Sequence, residues 1–322
     1  MKNLNETLSI KSPINQLTLY GYKHYFTLFS QLYNNNKLPN TILLSGPKGL
    51  GKATFAYHFI NYILSQEENN KYLMDKFTID DDSKIYKGIC NNTNPNFALL
   101  DNNDTDEDIK IEKVRNIIKF VNKTAYLSNL KIILIDNTEY LNLNSSNSLL
   151  KVLEEANDKT FFFIIHNNSD KILRTIKSRC VEFKIFFNLA EKVSIFKNIS
   201  TEYKEFSKIN NIDKILYSET PGNVLKYLLM LNDHSLRFQD DKISCIFYLI
   251  EKYKKNKDIR LLDFISFFIE YFYNDLSQRN IKNLHIYSSN KYKLLKNIND
   301  YKKFNLDKNN LSTLLTETIL NE

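Results

Sequence analysis

Gly46-Pro47-Lys48-Gly49-Leu50-Gly51-Lys52-Ala53-Thr54 holds three of the six glycines in this 322-residue chain. Closely spaced glycines let the backbone curl until successive N–H groups face one anion, and a lysine behind them reaches its outer oxygens. The chemistry this points to is phosphate binding. A hydrolysing site also needs Ser or Thr directly after the lysine, as a Mg²⁺ ligand, and that position is Ala53. A second group with the right character is Asp136, which ends the apolar run Lys131-Ile132-Ile133-Leu134-Ile135. A carboxylate there can hold Mg²⁺, and a hydrolysing site usually adds an acidic neighbour that activates water, although an Asp ending a strand also serves as a turn cap. The neighbour is the amide Asn137, and Glu139, three residues on, is expected to point elsewhere. The pattern is that of a phosphate site without the parts needed for hydrolysis.

Such a loop works only between a buried strand and a helix. Thr41-Ile42-Leu43-Leu44-Ser45 precedes it, and Ala53 to Ile60 follows with helical periodicity. Further short strands without alternation are expected at 96–101, 131–136, 161–165 and 180–183. Helices are expected at 109–122, 144–155 and 170–177. Strands of that kind, each followed by a helix, predict a parallel sheet covered on both faces, an α/β fold. From about Asn188 the β signal vanishes and the remainder reads as helical, with breaks at Pro221-Gly222 and near Asp233 and Asn256. The polar stretch from Ser65 to Thr93, with Asp80-Asp81-Asp82 inside it, reads as an insertion.

Composition fits a globular protein: 43% apolar and 25% charged residues, with a net charge of +7 that suits work near nucleic acid but also reflects a Lys-rich, Asn-rich chain. Cys90, Cys180 and Cys245 are scattered, which implies no disulfide framework and fits a reducing cytoplasm. Cys90 stands without Cys or His partners, so no zinc is expected, and the five histidines show no metal spacing. No run approaches the ~18 apolar residues of a membrane span, and Met1 to Leu17 is too polar for a signal peptide.

Ser178-Arg179-Cys180, preceded by Thr175-Ile176-Lys177, and the helix run Asn147-Ser148-Leu149-Leu150-Lys151-Val152-Leu153-Glu154-Glu155 resemble the AAA+ clamp-loader group of bacterial DNA polymerase III. Leu19-Tyr20-Gly21-Tyr22 and Lys37-Leu38-Pro39-Asn40 agree, and His166-Asn167-Asn168 is similar to the segment that senses the γ-phosphate. The resemblance covers about residues 13–230. It implies an AAA+ P-loop domain over 1–187, a small helical lid over 188–235, and an all-α collar for assembly over 236–322. The aromatic-rich run from Leu261 to Phe272 then suits packing against other subunits or an ordinary helical core. The basic runs at 252–257 and 282–296 read as solvated helix faces, with DNA contacts as the alternative.

The resemblance also distinguishes the group's motor subunits from its stator. Motors keep the Mg²⁺ hydroxyl, the acidic pair and a four-cysteine zinc module; this chain has Ala53, Asn137 and only Cys90. Stators commonly carry the zinc module too, so its absence departs from both. Thr220-Pro221-Gly222-Asn223 is similar to the stator's lid motif, whereas a motor's would place an arginine at Gly222. The implied role is a stator that supplies Arg179 as a finger to a neighbouring ATPase; the alternative is an ATP-hydrolysing motor of the gamma/tau type. Gly46 to Thr54, Asp136 and Asn167 would line a site for ATP or ADP. The implied partners are gamma/tau and delta clamp-loader subunits, with the sliding clamp and primer-template DNA reached through a complex of nucleotidyltransferase activity. Two other kinds of protein are less well matched: a helicase loader shares the objections to a motor, and a small-molecule P-loop kinase leaves the Ser-Arg-Cys motif unexplained.

Overall fold

A computed structural model describes residues 10–102, 108–122, 130–155, 157, 159–167, 174–203, 212–233, 241–256, 258, 260–304, 311 and 313–317. Residues 1–9, Asn168, residues 170–173 and His234, which enter the sequence expectations, lie outside them. The chain divides into two compact units, one running to Lys226 and one from Tyr227 onward.

The first unit is built on five parallel strands: β1 (Thr41–Ser45), β2 (Phe97–Leu100), β3 (Lys131–Ile135), β4 (Thr160–His166) and β5 (Val181–Lys184), in the order β2-β3-β4-β1-β5. Their alternation divides the core in two, because successive side chains leave a strand on opposite faces. Ile42, Leu44, Ile132, Leu134, Phe163 and Ile165 face one cluster; Leu43, Ile133, Ile135, Phe162 and Ile164 face the other. Helices α1 (Lys23–Asn34), α2 (Lys52–Leu64) and α3 (Lys84–Cys90) cover the first face through Phe26, Phe29, Phe55, Phe59 and Ile89. On the second face lie α4 (Ile111–Asn122), α5 (Leu143–Glu155) and the short α6 (Arg174–Lys177), through Ile117, Leu149, Leu153 and Ile176. The expected α/β parallel-sheet fold is thus present, covered on both sides.

Strand order decides where chemistry can gather. Strands β3, β4 and β1 are neighbours and all parallel, with Ile135 opposite Ile164 and Ser45 opposite His166. The segments that leave their C-terminal ends therefore meet at one edge of the sheet, where open α/β folds place their ligands.

Helix α2 is buried almost all round, because the 65–93 segment closes over the side facing away from the sheet. That segment returns to the N-terminal stretch, with the Leu19 N–H on Phe77 O and the Ile79 N–H on Leu17 O, both at 2.9 Å. It also anchors through His58, fully buried on α2. His58 Nε2 lies 2.8 Å from the Gln16 carbonyl, which can only accept, so Nε2 carries the proton and Nδ1 accepts from the Tyr72 hydroxyl at 3.0 Å. Burial pushes the imidazole down to about 4, against the pull of the Gln16 carbonyl.

Helix α7 (Leu189–Ser200) begins at a capping box between Asn188 and Glu191, and α8 (Ile212–Ser218) follows. Helix α9 (Pro221–Asp233) starts on a proline, whose missing N–H is harmless in a first turn. The second unit contains α10 (Lys242–Asn256), α11 (Arg260–Arg279) and α12 (Leu284–Phe304). The aromatic run of α11 is core here: Phe264, Ile265 and Phe268 are buried, as are Ile246 and Leu249 of α10 and Leu294 and Ile298 of α12. Tyr227 stacks on Phe267 with centroids 4.4 Å apart. Lys254, Lys255, Lys282, Lys293 and Lys296 are exposed. No helix among the described residues is long and apolar enough to cross a membrane.

Candidate functional site

The loop after β1 has the conformation its glycines suggest. Gly49 has φ +85°, and Gly51, the N-cap of α2, is left-handed at +86°. At Gly49 the demand is steric as well: a Cβ there would lie 2.3 Å from Thr220 Oγ1. Lys52 is buried and folds back, donating to the Gly46 and Pro47 carbonyls at 2.7 Å each. Burial pushes its ammonium down to about 8, opposed by the negative charges of Asp136 and Glu139 and reinforced by Lys48. Burial raises Asp136 to about 6, although the Asn137 N–H, 2.8 Å away, and the Lys52 charge favour its ionised form. Ala53 offers only a methyl group where a metal site needs a hydroxyl.

Asn137 is left-handed (φ 55°, ψ 51°), a conformation asparagine tolerates. It starts the tight turn Thr138–Tyr140. Its Oδ1 accepts from Asn167 Nδ2 at 2.9 Å, so the ends of β3 and β4 are tied side chain to side chain. Thr138 Oγ1 donates to Ile165 O at 2.9 Å and lies 3.3 Å from His166 Nδ1.

The same turn corrects the expectation for Glu139. Its carboxylate does not point elsewhere; it turns back toward β4, accepts the Asn167 N–H at 3.3 Å and lies 3.6 Å from His166 Nδ1. Burial works to raise its pKa. Contacts from His166, its own backbone N–H and Asn167 outweigh that and hold the carboxyl down to about 2. The left-handed Asn137 reverses the chain at the end of β3 and turns Glu139 back. An asparagine directly after a buried strand was the available signal.

Thr220 and Gly222 were expected to mark the lid by type, and the structure gives them contacts that sequence could not. Thr220 Oγ1 donates to Lys48 O at 2.8 Å, and the Gly222 N–H donates to Gly49 O at 3.0 Å. Lys192 of α7 holds the approach to them by donating to the Leu216 and Glu219 carbonyls at 3.1 Å each. Between the loop and helices α7 and α9 lies a cavity of about 330 Å³. Lys48 to Thr54, Asp136 and Asn167 line it together with the apolar side chains Leu19, Tyr22, Ile195, Ile199 and Leu225. Such a lining suits a molecule that carries both anionic groups and an apolar ring.

Arg179 is not part of this gathering. It follows α6, and its carbonyl accepts from Thr41 Oγ1 at 2.6 Å, at the opposite end of β1 from the glycine loop. One five-residue strand spans about 13 Å. The guanidinium is paired with Glu154 and donates from Nη1 to Thr175 O at 2.9 Å. Any anion it meets beyond these must come from outside the first unit's own cavity. The neighbouring Cys180 is half-buried, and burial pushes its thiol up to about 12, which makes it inert packing.

A sequence profile of the family described as "DNA polymerase III, delta subunit" matches residues 21–187. The chain is 32% identical over 155 residues to the DNA polymerase III subunit delta' of Pseudomonas aeruginosa, covering 48% of this chain and 45% of that one. It is 28% identical over 229 residues to the DNA polymerase III subunit gamma of Buchnera aphidicola subsp. Schizaphis graminum, covering 70% and 60%. The chain therefore spans about half the length of the curated relatives it matches. Among solved structures, a DNA polymerase III gamma-subunit-related protein of Thermotoga maritima aligns over 91% of this chain and 97% of its own, at 14% identity and a TM-score of 0.47.

Proposed function

The chain belongs to the DNA polymerase III delta-subunit family of AAA+ clamp-loader proteins, and from that premise we propose that it is a delta-prime-type stator of a clamp loader. In this role it supplies Arg179 in trans to the nucleotide of an adjoining motor subunit and does not itself hydrolyse ATP. The observation that carries the proposal is the separation of Arg179 from the chain's own loop: its carbonyl is held at the far end of β1, where no bound phosphate of this chain can reach it. An arginine supplied from a neighbour accelerates phosphoryl transfer by roughly 10³–10⁵-fold in other nucleotide hydrolases. The planar, permanently charged fork suits a phosphate as charge develops on it.

The chain's own site fits a nucleotide better than it fits a metal. The loop N–H groups, Lys52 and the mixed polar and apolar lining of the cavity suit the phosphates and ring of ATP or ADP. Lys52 would first have to leave the Gly46 and Pro47 carbonyls, and Ala53 withholds a ligand from Mg²⁺. Gamma/tau and delta subunits are the proposed partners, with the sliding clamp and primer-template DNA engaged through the assembled complex. The test is the DNA- and clamp-stimulated ATPase of the complex reconstituted with Arg179→Ala. Turnover should fall with ATP affinity kept and assembly intact by gel filtration; an unchanged turnover would remove the stator role. Arg179→Lys should rescue poorly.

One observation favours a second reading, the gamma/tau-like motor. Glu139 is an ionised carboxylate close enough to Lys52 to act on its charge. As a proton acceptor, however, it is weak, since its pKa lies far below the neutral range in which a general base works best.

A further inference from the structure

Glu154 and Arg179 come from two separate sequence motifs, and the fold brings them into direct contact. Oε1 of Glu154 accepts from Arg179 Nε at 2.5 Å and also from Nη2. Nη1 donates to Thr175 O at 2.9 Å. The base of the side chain is fixed too, by the Arg179 N–H on Ile176 O at 3.1 Å and by Thr41 Oγ1 on the Arg179 carbonyl at 2.6 Å.

A guanidinium carries five N–H donors in one plane. The contacts to Glu154 and Thr175 engage three of them, and two remain, one on each terminal nitrogen. Two N–H groups on adjacent terminal nitrogens form the fork that takes two oxygens of one phosphate. The arginine side chain is 34% exposed, so a ligand arriving from outside can reach it.

We propose that Glu154 is a positioning residue, which grips the Nε edge of Arg179 so that its terminal edge faces a neighbouring subunit's nucleotide. This rests on the stator assignment above. An unheld arginine spreads over many rotamers, and docking must then select one; a carboxylate on the inner edge makes that selection beforehand. Glu154 also brings negative charge toward the phosphate. With its side chain 49% exposed, that charge is screened by solvent and salt, so orientation outweighs repulsion.

The experiment compares Glu154→Ala, Glu154→Gln, Arg179→Ala and the Glu154→Ala/Arg179→Ala double variant in the reconstituted complex, reading kcat and KM for ATP with DNA and clamp present. Exposed ion pairs are weak, so Glu154→Ala should lower kcat by only about three- to fivefold, with KM for ATP unchanged. Glu154→Gln should keep part of the rate, because its amide oxygen still accepts from Nε. It also decides the matter if Glu154→Ala fails to assemble. The double variant should be no slower than Arg179→Ala, since a residue that acts through Arg179 has nothing left to position. Normal kcat in both Glu154 variants beside a slow Arg179→Ala would overturn the proposal and leave the stator role standing. A rise in kcat would also overturn it, since Glu154 would then be parking the arginine rather than presenting it. If Arg179→Ala itself runs at the wild-type rate, the stator role falls and Glu154 has nothing to position.

Discussion

Gly222 donates its backbone N–H to the carbonyl of Gly49 across 3.0 Å, so the first turn of α9 sits directly on the phosphate-type loop. The approach needs two glycines: a Cβ on Gly222 would lie 2.7 Å from Gly49 O, and one on Gly49 would lie 2.9 Å from Asn223 N. Both neighbours are backbone atoms, which cannot swing aside as a side-chain tip can. Gly222→Ala should therefore destabilise the first unit by about 1–3 kcal/mol, as overpacking does. Thr220→Val, which removes only the hydroxyl bond to Lys48 O, should cost about 1 kcal/mol. Denaturant melts of both variants check the order; Gly222→Ala no less stable than wild type would mean that α9 does not sit on the loop in solution.

Acid should weaken the fold through His58. Its folded pKa, about 4, lies below the ordinary histidine value, so the unfolded chain binds the proton more readily. The stability this neutral ring contributes is whole above pH ~6.5 and lost as pH falls toward 4, about 2 kcal/mol of it between pH 7 and 5. Asp136 acts with the opposite sign over the same range, because its raised pKa makes the folded state take up a proton. The His58 contribution is thus the difference in urea-midpoint change between wild type and His58→Gln. Parallel curves for the two proteins would show that the ring protonates without cost.

The purified chain should turn over ATP far below the ~1 s⁻¹ of ordinary enzymes. A rate near that value, abolished by Lys52→Ala, would favour the motor. Ala53→Thr restores the hydroxyl that this position lacks, and should tighten ATP binding with Mg²⁺ present while changing nothing in EDTA. Calorimetry with both proteins reads this directly, and equal tightening in the two conditions would mean that the threonine does not act through the metal.

Zinc should be absent from the folded protein in stoichiometric amount. Cys90 is half-buried at the end of α3, with its Sγ 4.0 Å from Asn15 Oδ1, and the 65–93 segment is fastened by Tyr72, Ile79 and Ile89 in the core instead. Metal analysis of purified protein is the check; one zinc per chain, lost in Cys90→Ser, would contradict it.

What sequence alone determined was local. Thr41–Ser45 and Lys131–Ile135 announce buried strands by unbroken apolar character, and the loop 46–52 announces its conformation by the spacing of its glycines, because strand and loop conformations are decided within a few residues. Asp136 and Asn167 could be named as site residues for the same reason: each closes a strand. Tertiary structure decided what depends on reversal and closure. Glu139 faces His166 and Asn167 only because Asn137 turns left-handed, a choice of one dihedral pair that periodicity does not encode. Gly222 reaches Gly49, and Glu154 reaches Arg179, across 173 and 25 residues of chain, distances over which no pattern carries register. Asn137 and Glu139 meet Asn167 because β3 and β4 lie side by side and parallel, so the segments that leave them meet whatever their separation in sequence; Glu154 and Arg179 lie at the opposite edge, ahead of β4 and β5.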